Sequence, residues 1–249
     1  MKKILMSFVV VLVGLSAYAQ NAPGVITQAA TDVFTPKDFD DNDNAQVVLE
    51  GIFGSTCFHV APAQYRIDLA NRQIYIDNRI TLTPGCVDAL MYIPYTRVVE
   101  LGQIPQGNYD VMVSDGRGNY TKRANLPIAK SKVSTFGTDE FLYAPIAEVS
   151  FQHGQTNGSF SLVLSGAFSN NCLSLAQVQV LAREGNVIEL LPVSSMATDN
   201  CRLIAVPFSQ TVSLPELPAG DVLIHVRGLG GQATNRVITV LDRFLPIPL

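Results

Sequence analysis

The 249-residue sequence has no tryptophan and is poor in histidine, cysteine and charge, with three histidines, four cysteines and only 15% charged residues. It contains no Gly-x-Ser-x-Gly elbow, no His-Glu-x-x-His pair, no glycine-rich nucleotide motif and no phosphate-binding loop. No Cys-x-x-Cys pair is present, which disfavours a four-thiolate zinc site. We therefore predict a protein that is not an enzyme, with no catalytic residue, no cofactor and no metal ligand.

Basic residues are also scarce, with 17 lysines and arginines against 21 acidic residues and a formal charge of −4. Nucleic acids and anionic membrane surfaces attract clustered lysine and arginine, so a nucleic-acid partner is not expected. Hydrophobic residues make up 47% of the chain, which is sufficient for a substantial core.

The longest apolar run lies at the amino terminus, where residues 1–20 read MKKILMSFVVVLVGLSAYAQ. Two lysines, a short apolar run and the small-x-small triplet AYA are typical of a bacterial secretory signal cleaved before Gln20. The run is shorter than the about 20 apolar residues that span a membrane. We therefore predict an exported protein, periplasmic or extracellular, with no membrane span after signal removal.

One motif occurs twice, because residues 51–57 read GIFGSTC and residues 166–172 read GAFSNNC. We expect each glycine on the inward side of a strand, where the missing side chain permits a bulge or the close approach of another backbone. The phenylalanine beside it is expected to fill core volume. The match continues for about 75 residues in each copy, which indicates an internal duplication.

The four cysteines follow the same repeat. Cys57 and Cys86 are 29 residues apart, and so are Cys172 and Cys201. Four cysteines allow three pairings, and the equal spacing favours disulfides Cys57–Cys86 and Cys172–Cys201 in an oxidising compartment.

Short runs of alternating apolar and polar residues in both copies predict strands. In the stretch 221–226, the even-numbered residues are expected to face the core, with Leu223 and His225 on the opposite side. About seven strands per copy predict an all-β protein of two tandem immunoglobulin-like β-sandwich modules from an internal duplication. The predicted strands are 46–53, 64–70, 73–82, 87–93, 97–101, 108–114 and 119–126, then 159–168, 176–184, 186–194, 202–207, 210–214, 221–227 and 234–241.

The predicted organisation is a signal peptide at 1–19, an N-terminal acidic linker at 20–44, a β-sandwich module at 45–126, a connector at 127–157, a second β-sandwich module at 158–241 and an apolar tail at 242–249. The connector is expected to pack against a module. The tail is expected to lie along the second module or to offer an apolar strip to a partner.

Within the linker, Asp38-x-Asp40-x-Asn42 is similar to the start of a calcium loop. However, Asp43 stands where that loop needs glycine and Leu49 where it needs a closing glutamate. A solvated acidic linker is therefore favoured over a calcium site.

Candidate groups for acid–base chemistry are few. His59 and His225 have no histidine counterpart in the other copy, and His153 lies in the connector. The aspartates of the predicted strands are expected on solvated faces or in turns: Asp68, Asp77, Asp88 and Asp110.

Glycan recognition usually relies on exposed tryptophan or tyrosine rings. Without tryptophan, the candidates are Tyr92, Tyr95 and Tyr143, of which Tyr95 corresponds to Phe208 and is expected in the core.

These features favour an exported, non-enzymatic envelope or secreted protein that acts as a binding or structural module, with a protein or glycan partner. The copies differ most at 54–56 against 169–171 and at 87–93 against 202–206, which makes those loops the interaction candidates. The alternatives are a hydrolase that uses carboxylates between the modules and a self-assembling surface subunit.

Overall fold

The computed structural model describes residues 24–87, 89–133, 139, 141–153, 160–183, 185–197 and 200–240. The predicted signal peptide at 1–19 and the predicted tail at 242–249 lie outside these residues. The described residues form eighteen β-strands and one short 3₁₀ turn at Leu229–Gly231, without an α-helix. The prediction of an all-β protein is confirmed. Within these ranges, no helix is long and apolar enough to cross a membrane.

The first half of the chain forms three sheets. Their strands are β1 (Val25–Thr27), β2 (Asp32–Phe34), β3 (Phe39–Asp40), β4 (Ala45–Ser55), β5 (Phe58–Val60), β6 (Gln64–Asp68), β7 (Gln73–Asp77), β8 (Arg79–Leu82), β9 (Leu90–Gly102), β10 (Gly107–Ser114) and β11 (Tyr120–Ala129). A three-stranded sheet has the order β2-β4-β9 and a five-stranded sheet the order β3-β11-β10-β7-β6. A small third sheet has the order β1-β8-β5.

The second half forms two sheets. Their strands are β12 (Ile146–His153), β13 (Phe160–Phe168), β14 (Leu173–Arg183), β15 (Val187–Met196), β16 (Val206–Ser213), β17 (Gly220–Arg227) and β18 (Ala233–Val240). The orders are β12-β13-β16 and β14-β15-β17-β18.

The two halves share one strand order. The sheet β2-β4-β9 has the same pairing as β12-β13-β16, and β11-β10-β7-β6 has the same pairing as β18-β17-β15-β14. The two larger sheets share one parallel pair, β7 with β10 and β15 with β17, and β3 is also parallel to β11 at the edge of the first of these sheets. A parallel pair needs a crossover, which here runs through the opposite sheet as β9 or β16. Immunoglobulin sandwiches consist of antiparallel sheets, so this pair departs from the predicted strand arrangement.

Each half has an apolar core between its own sheets. In the first half, fully buried side chains from facing strands include Leu49 and Ile76. In the second half, they include Leu164, Leu190 and Ile224. Each such side chain stabilises the fold by about 1.5–3 kcal/mol, so each core holds its own pair of sheets together.

A third apolar layer joins the halves. Val48 on β4 and Leu223 on β17 point away from their own cores, are fully buried, and pack with Phe34 and Val187. The prediction that Leu223 and His225 face away from their own core is correct, but the first half covers both side chains. β4 and β17 are therefore strands with both faces buried. We call this layer the junction.

Two predicted pairs of strands are single strands. Residues 87–93 and 97–101 fall largely within β9. Of residues 202–207 only Val206 and Pro207 lie in a strand, and they belong to β16 together with most of 210–214. Pro94 and Pro207 interrupt the alternating pattern, but both strands lie at a sheet edge, where proline is tolerated.

The expectation of a solvated acidic linker at 38–44 is wrong. Phe39, Asp40 and Asp43 are buried, because this segment lies against the second half at the junction. The connector predicted at 127–157 contains β12, which pairs with β13 as the first strand of the second three-stranded sheet.

Candidate functional site

Two disulfides close loops at sheet ends. Cys57 is bonded to Cys86 and Cys172 to Cys201, with Cα atoms 5.7 and 5.2 Å apart. Cys57 and Cys172 are buried, whereas Cys86 and Cys201 are exposed. Each bond therefore fixes an exposed segment to a buried point of the sandwich.

An exposed apolar segment follows each disulfide. Val87, Leu90 and Tyr92 are 90%, 91% and 87% exposed, and Leu203 is 90% exposed. We call residues 87–93 and 202–206 the apolar loops, although residues 90–93 already form the start of β9 and Val206 is the first residue of β16. Asp88 lies outside the described residues. Single apolar residues are normal on surfaces, but contiguous groups of them mark interaction sites.

The apolar loops lie at opposite ends of the molecule. β4 and β17 cross the junction in opposite directions, because Glu50 lies beside Asp221 while Asp43 contacts Arg227 at the other end of β17. The first disulfide follows the end of β4 and therefore lies beyond the start of β17. The second follows the end of β15, which runs parallel to β17, and lies beyond the end of β17.

Arg227 is the central charge of the junction. Its Nη2 donates to carboxylate oxygens of Asp43 and Asp139, and its Nη1 donates to the carbonyl oxygen of Asp38 at 2.7 Å. The guanidinium carbon also lies 4.8 Å from the ring centre of Tyr143. Burial alone would lower the pKa of Arg227, but the neighbouring Asp43 and Asp139 carboxylates outweigh it and raise the pKa. The network ties the 38–44 segment and the connector to β17.

Two further polar side chains complete the junction. The carboxylate of Glu189 accepts from the backbone N–H groups of Lys37 and Asp38, at 2.6 and 3.1 Å. His225 Nδ1 lies 2.7 Å from Asn235 Oδ1, and its Nε2 has no hydrogen-bond partner among the described residues. Burial lowers the pKa of His225 to about 4, against the hydrogen bond to Asn235, which raises it. His225 is therefore neutral at pH 7.

Three carboxylates meet at the rim of the junction. Oxygens of Asp32, Glu50 and Asp221 lie within 4.8 Å of one another, and among the described residues they form the one group close enough to share a cation. Burial raises the pKa of Glu50 to about 7, and the charges of Asp221 and Asp32 act in the same direction. The cluster can hold a proton at neutral pH. The carboxylates of the 38–44 segment bind neighbouring N–H and guanidinium groups instead.

Two cavities flank Tyr143. One of about 460 Å³ is lined by both halves, including Asp43 and Gly230, and one of about 270 Å³ is lined in part by Lys130 and Arg227. The two halves therefore do not pack closely everywhere around the junction, and open space remains beside Tyr143.

The structure separates the three histidines. His59 is exposed on β5, His153 ends β12, and His225 is fully buried at the junction. No side-chain position is described for His153. His59 and His225 do not form a shared acid–base site.

Of the tyrosines considered for glycan binding, only Tyr92 is exposed. Tyr95 is buried, stacks on Phe53 with ring centres 4.2 Å apart, and accepts a hydrogen bond from Asn78. Tyr143 is buried at the junction. The three rings do not form a common platform.

The aspartates predicted on strand faces and turns have local partners. Asp68 accepts from Asn71 in the turn after β6, Asp110 pairs with Lys122 at 2.7 Å, and Asp77 accepts from Tyr120.

Sequence reasoning missed the buried charges Arg227 and Glu189. Their partners are 88 to 189 residues away along the chain, so no local pattern connects them. The one available signal is the nearly continuous apolar run from Val222 to Val226, which is typical of a strand buried on both faces.

Comparison of the chain with protein-family models, with curated proteins and with solved structures gives no match.

Proposed function

We propose that this chain is an exported, non-enzymatic binding protein of the bacterial envelope or its surroundings, built from two duplicated sandwich modules. The observation that carries the proposal is the pair of apolar loops, fixed by disulfides at opposite ends of a rigid frame. The signal-like sequence at 1–19 and the two disulfides both support an oxidising compartment outside the inner membrane.

The duplication is supported by strand order as well as by sequence. Both halves have an equivalent parallel pair within the larger sheet, β7 with β10 and β15 with β17, and both carry a disulfide between cysteines 29 residues apart. The shared order extends to β2 and β12, which lie before the repeated sequence. Each module therefore begins with an edge strand before residue 45 or residue 158.

A protein with an apolar surface is the partner that the loops fit. Tyrosine and methionine are enriched in protein–protein interfaces, and charged residues are depleted from interface cores. The first loop exposes Val87, Leu90, Met91 and Tyr92, and the second exposes Leu203 beside the charged Arg202. Removing such apolar side chains from water favours association with a partner.

Site-directed photocrosslinking in the producing cells tests this proposal. A photoreactive benzoylphenylalanine at position 90 or 203 should give one discrete adduct with another protein, because the partner covers these positions. The same group at Arg117, exposed in the β10–β11 turn, should give none. Equal labelling at all three positions, or no adduct at 90 and 203, would refute the proposal. An adduct of the chain with itself would favour the self-assembling subunit.

The hydrolase alternative has one observation in its favour, namely the meeting of Asp32, Glu50 and Asp221 between the halves. Retaining glycosidases hold two carboxyl groups about 5–5.5 Å apart, one protonated, and the raised pKa of Glu50 suits the acid role. If the chain hydrolyses glycosides, Glu50→Gln should abolish turnover while the stability remains. An inactive wild-type protein would remove this alternative.

A further inference from the structure

A second site lies on the outer face of the larger sheet of the first half. A cavity of about 450 Å³ is lined there by residues of β6, β7 and β11, chiefly Arg66, Tyr75, Asp77 and Tyr120, with Tyr65 at its rim. None of the apolar loops or junction residues contributes to it. The site is therefore independent of the proposed partner surface.

The equivalent face of the larger sheet in the second half is covered by other parts of the protein, and the two faces can be compared position by position. By strand order and register, Tyr75 opposite Arg66 corresponds to Glu189 opposite Leu181, and Asp77 opposite Gln64 corresponds to Leu191 opposite Gln179. In the second half this face borders the junction. In the first half, Arg66 and Asp77 stand where the second half has leucines, and Tyr75 stands where it has Glu189. The two charged side chains suit contact with water and a polar solute more than a second protein layer.

Arg66 is held flat over Tyr75. Its guanidinium carbon lies 3.5 Å from the centre of the ring, close enough for a cation–π interaction. Arg66 is exposed, and it makes no hydrogen bond or ion pair with any residue that the structure describes. A guanidinium fixed in this way presents a planar set of donors that matches a carboxylate.

Tyr120 and Asp77 form the other wall. The Tyr120 hydroxyl donates to Asp77 Oδ1 at 2.8 Å, and its ring meets Tyr75 edge-on with centres 5.1 Å apart. Burial, and then this hydrogen bond, raises the pKa of Tyr120, so the phenol stays protonated. Asp77 Oδ2 accepts from no described residue and remains available to a ligand hydroxyl.

Tyr65 lies at the rim and is 44% exposed, but it is paired with the buried Ile76, so its side chain lies on the opposite face of β6 from Arg66. The Tyr120 ring is therefore the aromatic surface of the site. Aromatic rings cover the apolar C–H faces of sugars, while carboxylates and amides bind their hydroxyls. The cavity combines aromatic side chains, one unoccupied carboxylate oxygen and one unpaired guanidinium. A neutral sugar offers the guanidinium only hydroxyl oxygens, whereas a carboxylate accepts two parallel, charge-assisted hydrogen bonds from it.

We propose that this cavity binds a sugar that carries a carboxylate group. The carboxylate pairs with Arg66, ring hydroxyls donate to Asp77, and the Tyr120 ring covers the apolar face of the sugar ring.

Tyrosine fluorescence measures this binding directly. The chain has no tryptophan and eight tyrosines, three of which line the cavity. The oxidised protein is titrated with methyl glycosides of glucuronate, galacturonate and N-acetylneuraminate, with the neutral methyl glucoside and galactoside, and with acetate. At least one acidic sugar should give a saturable change, with at least tenfold higher affinity than its neutral counterpart. Binding to none of the three acidic sugars overturns the proposal.

Variants locate the site. Arg66→Ala and Arg66→Lys should each weaken acidic-sugar binding at least tenfold, because lysine lacks the planar donor pair, and Tyr120→Phe should weaken it less. Arg117→Ala removes an equally exposed charge elsewhere and should bind like the wild type. Unchanged affinity in Arg66→Ala overturns the assignment of the site. Equal affinity for acetate reduces it to a simple anion site and overturns the assignment of a sugar.

Discussion

His225 makes the stability of this protein sensitive to mild acid. In the folded chain its pKa is lowered from 6.5 to about 4, first by burial, with the Arg227 charge acting in the same direction. The unfolded chain therefore binds a proton below pH 6.5 that the folded chain binds only near pH 4. This contribution to stability is present above pH 6.5 and is lost as the pH falls, by about 3 kcal/mol.

Urea unfolding at pH 7.5, 6 and 5 tests this effect. His225→Met introduces the residue found at the corresponding position 112 and should flatten the decline between pH 6.5 and 5. The overall stability of the variant can differ, so the slope against pH is the decisive quantity. If the free energy of unfolding of the variant falls with pH as steeply as that of the wild type, His225 does not contribute to the pH dependence and the prediction is wrong.

Glu50 acts in the opposite direction. Its folded pKa is raised from 4.5 to about 7 by burial and by Asp221 and Asp32. Its contribution is present below pH 4.5 and is lost as the pH rises through 7. Glu50→Gln should therefore be more stable than the wild type at pH 8, with the difference shrinking towards pH 5. Thermal unfolding across this range measures it, and a constant difference would contradict the prediction.

The two repeated glycines serve different contacts. A Cβ on Gly166 would overlap the carbonyl oxygen of Pro145 and lie 3.0 Å from the Phe208 ring, whereas a Cβ on Gly51 would overlap the end of the Tyr95 ring. A backbone carbonyl yields less than a side chain does. Gly166→Ala should cost about 3 kcal/mol and Gly51→Ala less. Gly54→Ala has open space around it and should change the urea midpoint little. Equal losses at Gly51 and Gly166 would contradict this reading.

At the scale of elements, Arg227 at the end of β17 holds the 38–44 segment in place. Arg227→Met leaves the buried Asp43 carboxylate and the partly buried Asp139 carboxylate without this cation and should cost about 3–5 kcal/mol. Lys122→Met breaks the exposed pair with Asp110 and should cost less than about 1 kcal/mol. Urea midpoints of the two variants measure the contrast, and similar losses would show that the junction pair contributes no more than a surface pair.

Local patterns account for what sequence reasoning predicted well. The alternation in 108–114 places Tyr109, Val111 and Val113 in the core, where the structure has them. The period of two is a property of each strand alone. The observed disulfide pairing was also predictable from the sequence alone. Comparing the two copies shows that each contains two cysteines 29 residues apart.

The junction is formed by contacts between residues of the two halves, and no local sequence pattern predicts these contacts. Val48 and Leu223 are buried on faces that alternation alone assigns to the outside. The uninterrupted apolar stretch from Val47 to Leu49 indicates burial on both faces, but not which strand provides the cover. The Tyr75–Arg66 stack is equally hidden, because cross-strand register brings these side chains together.

For the whole molecule, the apolar junction makes the halves unfold together. Val48→Asp puts an unpaired charge into a fully buried position and should split a single calorimetric transition into two. Ile52→Asp, on the same face of β4 but 39% exposed, should retain one transition. A single transition in both variants would show that the halves are coupled by other contacts.

The opposite placement of the two apolar loops has a consequence for valence. If the frame is rigid, the two apolar loops cannot both contact one flat surface. Binding of one loop to such a surface then does not favour binding of the other loop to it. Two partners on facing surfaces can each take one end, and the molecule then acts as a strut of fixed length between them.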